Sequence, residues 1–195
     1  MKDITIFDNF INDEELEEAR QFIGGEYSQH WGSRKWFFND INNSFTKILI
    51  DSMFNLNMEN IIPSAKNFIL KIKNRIDKCM NTNLDIHRVY FNRQVCGQDV
   101  PSHTDAEKRV CLYTLLIYIG DITPENYDKT GGDLEIQTKP IIRIEPFTKR
   151  AVLFKGYIPH QAYAPLVHGI TRISFAINFI CSSERDKTEY NNGQW

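Results

Sequence analysis

What this sequence has little of narrows its class before any motif is read. There are 4 cysteines in 195 residues, and Cys79, Cys96, Cys111 and Cys181 form no Cys-x-x-Cys pair. That spacing argues against a cysteine-held structural zinc. So few thiols are expected to be free, in a reducing compartment, rather than a disulfide framework. No charge sign dominates: 23 Lys plus Arg stand against 25 Asp plus Glu, a formal net charge of -2. That balance gives no electrostatic footprint for nucleic acid or an anionic membrane, so neither is expected as a partner. A long hydrophobic run is missing too. The longest apolar stretch, VCLYTLLIYI at 110–119, falls well short of the ~20 residues of a membrane-spanning helix and reads as a buried strand. The opening MKDITIFDNF carries acids and alternates, unlike a secretory signal, so the expected location is cytoplasmic. There is no internal repeat and no low-complexity segment.

What is present suits one domain over 1–195. Its parts are a helical N-terminal region 1–82, a strand-rich core 84–181 and a polar tail 182–195. A hydrophobic content of 42% and a charged content of 25% are ordinary for a globular chain able to bury a core. Residues 4–10 alternate as a strand. Asn12 or Asp13 can cap a helix over EELEEARQFI, whose early acids suit the positive helix N-terminus, and Gly24-Gly25 ends it. Residues 26–45 look irregular, with Trp31, Trp36, Phe37 and Phe38 clustered as core or lid. A second helix runs from Pro63 to Met80, with Ile62, Ala65, Ile69, Ile72, Ile76 and Cys79 at helical spacing. After Asn83 the texture changes to short β-branched and aromatic runs. Strands are predicted near 84–95, 110–119, 133–138, 140–145, 151–155, 161–164 and 171–180, with Gly131-Gly132 as a hairpin turn. Helices followed by many short strands give an α+β class. The second part is expected to be a sandwich or jelly roll, with the N-terminal helices packed on one sheet.

Within that frame the stretch SHTDA, residues 102–106, stands out. With 5 His and 13 Asp in the chain, about 0.3 His-x-Asp matches arise by chance, so the pair alone means little. On an extended chain, however, residues i and i+2 share a face, so His103 and Asp105 can reach one metal ion together. A two-histidine, one-carboxylate face then needs a second imidazole and leaves the opposite coordination positions open. His160 qualifies, because in AVLFKGYIPHQAY it stands where a buried strand turns at Gly156 and Pro159. His30, His87 and His168 are expected to be structural. Twelve residues past His160 comes Arg172, in GITRISFAINF. Here Ile173, Phe175, Ile177 and Phe179 alternate against Arg172, Ser174, Ala176 and Asn178. An inward-facing arginine on a strand is costly unless it meets an anion, and its planar fork fits a carboxylate. An open metal beside a buried arginine suits a small ligand with a chelating end and a distant carboxylate, such as 2-oxoglutarate.

Taken in order, H103-T-D105, G131-G132-D-L-E-I, R150-A-V-L-F-K-G-Y-I-P-H160 and G169-I-T-R172-I-S174 resemble the Fe(II)/2-oxoglutarate-dependent dioxygenases. The resemblance is to their prolyl-4-hydroxylase-like branch and covers residues 84–180. It implies a double-stranded β-helix (jelly roll) and a cofactor set of Fe(II), 2-oxoglutarate and O2. It further implies that His103, Asp105 and His160 form the catalytic metal site and that Arg172 pairs with the far carboxylate of the cosubstrate. Tyr118, Ser174 and Tyr90 would complete the cosubstrate pocket. Collagen-type relatives often use lysine where this chain has Arg172, which still supplies the cation. Asp105, in place of Ala or Gly, favours hydroxylation over halogenation.

The implied reaction hydroxylates an aliphatic carbon, with a prolyl residue of a peptide or protein as one substrate class. Succinate and CO2 are released. The same chemistry on a free amino acid, nucleoside or other small molecule remains open, as does a cupin-like protein that holds metal without turnover. Nucleic-acid demethylation is disfavoured, because that branch carries a second arginine where this chain has Asn178, and because the charge is near neutral.

Overall fold

Asn12 starts the first helix, α1 (Asp13–Gln21), through a capping box: its side chain accepts from the Glu15 backbone N–H, and the Glu15 carboxylate accepts from the Asn12 N–H. Ile11 before the cap and Leu16 after it are both buried, which sets the angle at which the chain enters the helix. The structure, a computed structural model, describes residues 3–23, 37–39, 44–51 and 63–181, with backbone alone for 37–39 and 44–51. Gly24-Gly25, His30, Trp31, Trp36 and the tail 182–195 lie outside the described residues. The second helix, α2 (Pro63–Met80), begins with its proline in the first turn. It buries Ala65, Phe68, Ile69, Ile72 and Ile76, the stripe expected from a 3.6-residue period. Cys79 falls off that stripe and is exposed. The two helices are clamped by Glu15, which is 3% exposed and lies 2.7 Å from both Arg75 Nη2 and Lys71 Nζ.

The strands are β1 (Ile4–Phe7), β2 (Phe37–Asn39), β3 (Ser44–Asp51), β4 (Leu84–Gln94), β5 (Val100–His103), β6 (Leu112–Tyr118), β7 (Leu134–Ile136), β8 (Ile142–Ile144), β9 (Ala151–Lys155), β10 (His160–Ala162) and β11 (Arg172–Cys181). They form a seven-stranded sheet, β1-β9-β6-β11-β4-β3-β2, and a four-stranded sheet, β5-β10-β7-β8, with every pairing antiparallel. This is an α+β architecture. Alternation on β11 divides the core. Phe175, Ile177 and Phe179 join the cluster that holds Phe68, Ile69 and Ile72 of α2. Ala176 joins a second cluster with Ile136 and Ile144 of the smaller sheet. The helices therefore cover one face of the large sheet, as expected. The small sheet covers the other face, and the polar members of β11 point between the two sheets.

Several expectations need correcting. Cys111 and Cys181 are disulfide-bonded rather than free. The β6–β11 register pairs Leu112 with Ile180, so the next cross-strand neighbours are these two cysteines, 70 residues apart in sequence. Cys79 and Cys96 are free, but the paired cysteines remove the thiol argument for a reducing compartment. Gly131-Gly132 is not a hairpin turn. Gly131 closes a short helix, α3 (Tyr127–Thr130), and both glycines have positive φ, 56° and 97°. Residues 37–39 and 44–45 are paired strand rather than irregular chain, and the strand over Val100–His103 was not anticipated. No helix among the described residues is long and apolar enough to cross a membrane.

Candidate metal centre and its pocket

The four-stranded sheet brings two distant histidines together. In the β5–β10 register His160 stands opposite His103, with ring centroids 4.4 Å apart. Asp105 follows as β5 ends. Its backbone N–H donates to the Gly156 carbonyl at 2.8 Å, and the next N–H, of Ala106, donates to the same oxygen at 3.2 Å. Gly156 sits close to the Leu112 side chain there: a Cβ would come within 2.4 Å of its terminal methyl, which would have to shift. The result is a cluster in which ligand atoms of His103, Asp105 and His160 lie within 4.8 Å of one another. Asp105 Oδ1 is 3.7 Å from His103 Nε2, and Oδ2 is 3.7 Å from His160 Nε2.

Each imidazole is oriented by its other nitrogen. His103 Nδ1 is 2.9 Å from the Pro101 carbonyl and His160 Nδ1 is 2.9 Å from the Ile158 carbonyl. A carbonyl can only accept, so each Nδ1 carries the proton and each Nε2 lone pair points to the shared centre. The same arrangement orients metal-binding histidines generally. Phe154 packs edge-on to His160 at 4.7 Å. Burial holds the His160 imidazole below its ordinary pKa and neighbouring His103 adds to this, while Asp105 opposes it. A neutral imidazole is the form that ligates. The residues present therefore fit a divalent cation bound by two nitrogens and one carboxylate oxygen.

The large sheet forms the floor beneath this cluster. Across its strands the register aligns rows of side chains on one face: Arg88–Asn178–Thr114, then Tyr90–Ala176–Leu116, then Asn92–Ser174–Tyr118, then Gln94–Arg172. Members of every row line a cavity of about 290 Å³ that also contains the three candidate ligands. Arg172 is 3% exposed. Its Nε donates to the Gly132 carbonyl at 2.9 Å, Nη1 to Gln94 Oε1 at 2.6 Å, and Nη2 lies 3.4 Å from the Tyr118 hydroxyl. All three partners are neutral, and no ion pair among the described residues includes Arg172. A buried guanidinium so placed has the charge and the planar fork that suit an anion. Beside it, Ser174 Oγ is buried with no hydrogen-bond partner among the described residues, a second sign that a polar ligand belongs there.

The structure thus gathers His103, Asp105, His160, Arg172, Ser174 and Tyr90 around one cavity. Tyr118 is fully buried behind it and meets the cavity through Arg172, whose Cζ lies 5.0 Å from the phenol ring centroid. Burial raises the Tyr118 pKa, against the pull of Arg172, so the phenol stays protonated. His168 is exposed in a turn, as expected. Sequence reasoning missed Gln94, Thr114 and Arg88, the last held 4.6 Å over the Tyr90 ring. The β4 alternation Arg88, Tyr90, Asn92, Gln94 carried the signal for Arg88 and Gln94.

No family model matches this sequence, and no curated protein does either. Solved structures do match. A prolyl hydroxylase from Trichoplax adhaerens, in complex with a hypoxia inducible factor oxygen degradation domain peptide fragment, has a TM-score of 0.70 at 17% identity, over 95% of this chain and 87% of that one. The chain has the fold of the prolyl hydroxylases. The viral collagen prolyl hydroxylase of Paramecium Bursaria Chlorella virus-1, in complex with 2-oxoglutarate, gives 0.64 at 16% identity, covering 92% of this chain and 97% of that one. HygX from Streptomyces hygroscopicus, with nickel, 2-oxoglutarate and hygromycin B bound, gives 0.65 at 11% identity, covering 92% and 83%. This prolyl-hydroxylase fold therefore spans nearly the whole chain.

Proposed function

We propose that the chain is an Fe(II)- and 2-oxoglutarate-dependent dioxygenase that hydroxylates an aliphatic carbon, with a prolyl residue of a peptide or protein as its first substrate class. In this reading the two sheets form a double-stranded β-helix with the site between them. His103, Asp105 and His160 hold the iron. Arg172 takes the far carboxylate of 2-oxoglutarate, Ser174 and the protonated Tyr118 support that end, and Tyr90 lines the cavity. The observation that carries it is the coincidence, in one cavity, of a two-imidazole, one-carboxylate cluster and a buried arginine whose partners among the described residues are neutral. Neither feature alone names a cosubstrate. Together they fit a dicarboxylate with one chelating end.

When bound, the iron and cosubstrate would supply the oxidation: one oxygen atom enters the substrate C–H bond and the other enters succinate as CO2 leaves. The protein's own residues bind and orient. The Nδ1–carbonyl bonds hold both imidazoles, Phe154 packs behind His160, the Gly156 carbonyl fixes the Asp105 backbone, and Leu116 and Leu134 keep part of the wall apolar. The peptide reading is supported by the likeness to a hydroxylase bound to a peptide fragment. A small-molecule substrate has comparable support from the likeness to HygX bound to hygromycin B.

The decisive experiment incubates the protein with Fe(II), 2-oxoglutarate and O2 and measures succinate. Proline-containing peptides and small molecules are then screened by mass spectrometry for a one-oxygen gain. Succinate formation that His160→Ala abolishes is expected. Metal binding without any succinate would instead make this a metal-holding protein without turnover.

A further inference from the structure

Asp105 has a second support besides its backbone. Thr114 Oγ1 hydrogen-bonds Asp105 Oδ2, and Asn178 Nδ2 donates to the same Thr114 Oγ1 at 2.9 Å. Both partners come from the large sheet, where the β6–β11 register sets Thr114 directly opposite Asn178. Both are nearly inaccessible, Thr114 at 1% and Asn178 at 4%. No spacing motif connects the three residues, and none of the roles given above uses the pair.

We propose that Asn178 and Thr114 form a one-way hydrogen-bond relay that positions the metal-ligating carboxylate of Asp105 for single-oxygen ligation. The inference rests on the metal reading of the site. The direction follows from donor and acceptor chemistry. An ionised carboxylate only accepts, so the Thr114 hydroxyl must give its hydrogen to Asp105. The hydroxyl lone pairs then need a donor, and the Asn178 amide supplies it. Rotating that amide would place two acceptors against each other, so the relay also fixes the Asn178 rotamer. Both carboxylate oxygens lie 3.7 Å from an imidazole Nε2, Oδ1 from His103 and Oδ2 from His160, so it is the hydrogen bond on Oδ2 that leaves Oδ1 to face the cation. A carboxylate free to bind through both oxygens would take up one more coordination position. The relay keeps that position open for the remaining ligands.

The test reads metal affinity, not turnover. Mn(II) binding to the folded protein is followed by the loss of the free-ion electron paramagnetic resonance signal. Asn178→Asp keeps size but can only accept, so it reverses the relay. Thr114→Val removes it at equal volume. Each is expected to weaken Mn(II) binding about 10- to 100-fold, the usual cost of losing a group that orients a ligand. Thr114→Ser, which keeps the hydroxyl, should bind as wild type does. In the double variant the loss should not exceed that of Thr114→Val alone, because a relay broken once cannot be broken again. If Asn178→Asp fails to fold, Asn178→Leu, of similar volume with no donor, takes its place. Wild-type affinity in the Asn178 variant, or losses that add in the double variant, would overturn the relay. A wild-type protein that binds no Mn(II) would overturn the metal reading itself.

Discussion

Arg172 is where the energetics of the site are most exposed to test. Its guanidinium is buried against two carbonyl-type oxygens and a phenol, an arrangement that favours an incoming carboxylate because no acid among the described residues pairs with it. Removing one partner of a buried, hydrogen-bonded charge pair costs roughly 2–5 kcal/mol, or about 30-fold and upward in affinity. Arg172→Gln is therefore expected to raise the KM for 2-oxoglutarate by at least that factor. Arg172→Lys, with the charge but not the fork, should fall between. Succinate release against 2-oxoglutarate concentration measures both, and an unchanged KM in the glutamine variant would put the cosubstrate elsewhere. Arg172 was legible in the sequence because it interrupts an alternating apolar strand, where a charge is conspicuous. The His103, Asp105 and His160 set was legible for a similar reason: residue types that bind metal, two at strand spacing and one at a turn. Thr114 was not, since a neutral polar residue in a strand looks the same whether it faces a ligand or water. Ser174 stood between, suggested only by its place beside Arg172.

At the level of elements, α1 and α2 are held together by more than apolar contact. Glu15 is the N3 residue of the capping box and also the buried acceptor of Arg75 and Lys71. Burial alone would raise its pKa, but the hydrogen bonds from Arg75, Lys71 and the Asn12 backbone prevail and lower it from 4.5 to about 2. The folded state thus binds this proton less readily than the unfolded chain. The resulting stability is fully present above about pH 4.5 and is lost as the pH falls from there towards 2, up to about 3 kcal/mol in all. Urea midpoints of wild type and Glu15→Gln are expected to differ clearly at pH 7 and to converge as the pH falls to about 2. A gap independent of pH would mean that the loss is one of packing alone. Both helices were readable from caps and 3.6-residue periodicity, since those signals are local. The four-residue β5 was not, because a strand that short is defined by its partner β10, far away in sequence. The Cys111–Cys181 bridge escaped for the same reason: only the β6–β11 register makes these residues neighbours.

Across the whole molecule the site is a joint between layers. His103 and His160 belong to the small sheet, Arg172 and Ser174 to the large one, and Asp105 is tied by hydrogen bonds both to Gly156, in the turn between β9 and β10, and to Thr114 of the large sheet. A cation and a dicarboxylate bound together would hold the two sheets to each other, and the unfolded chain offers no such site. Binding restricted to the folded state stabilises by about 2.7 kcal/mol at a ligand concentration one hundred times Kd. For a chain of this size each kcal/mol moves Tm by roughly 2–4 °C. Mn(II) with 2-oxoglutarate under nitrogen is therefore expected to raise the wild-type Tm by about 5–10 °C, measured by differential scanning calorimetry. The cosubstrate alone should do much less, because its chelating end then has no metal to bind and only Arg172 remains to hold it. His160→Ala, which loses one ligand from the small sheet, should lose most of the combined shift while the metal-free Tm reports any separate cost of the substitution. Equal shifts in wild type and His160→Ala would mean that the pair binds outside the cavity between the sheets.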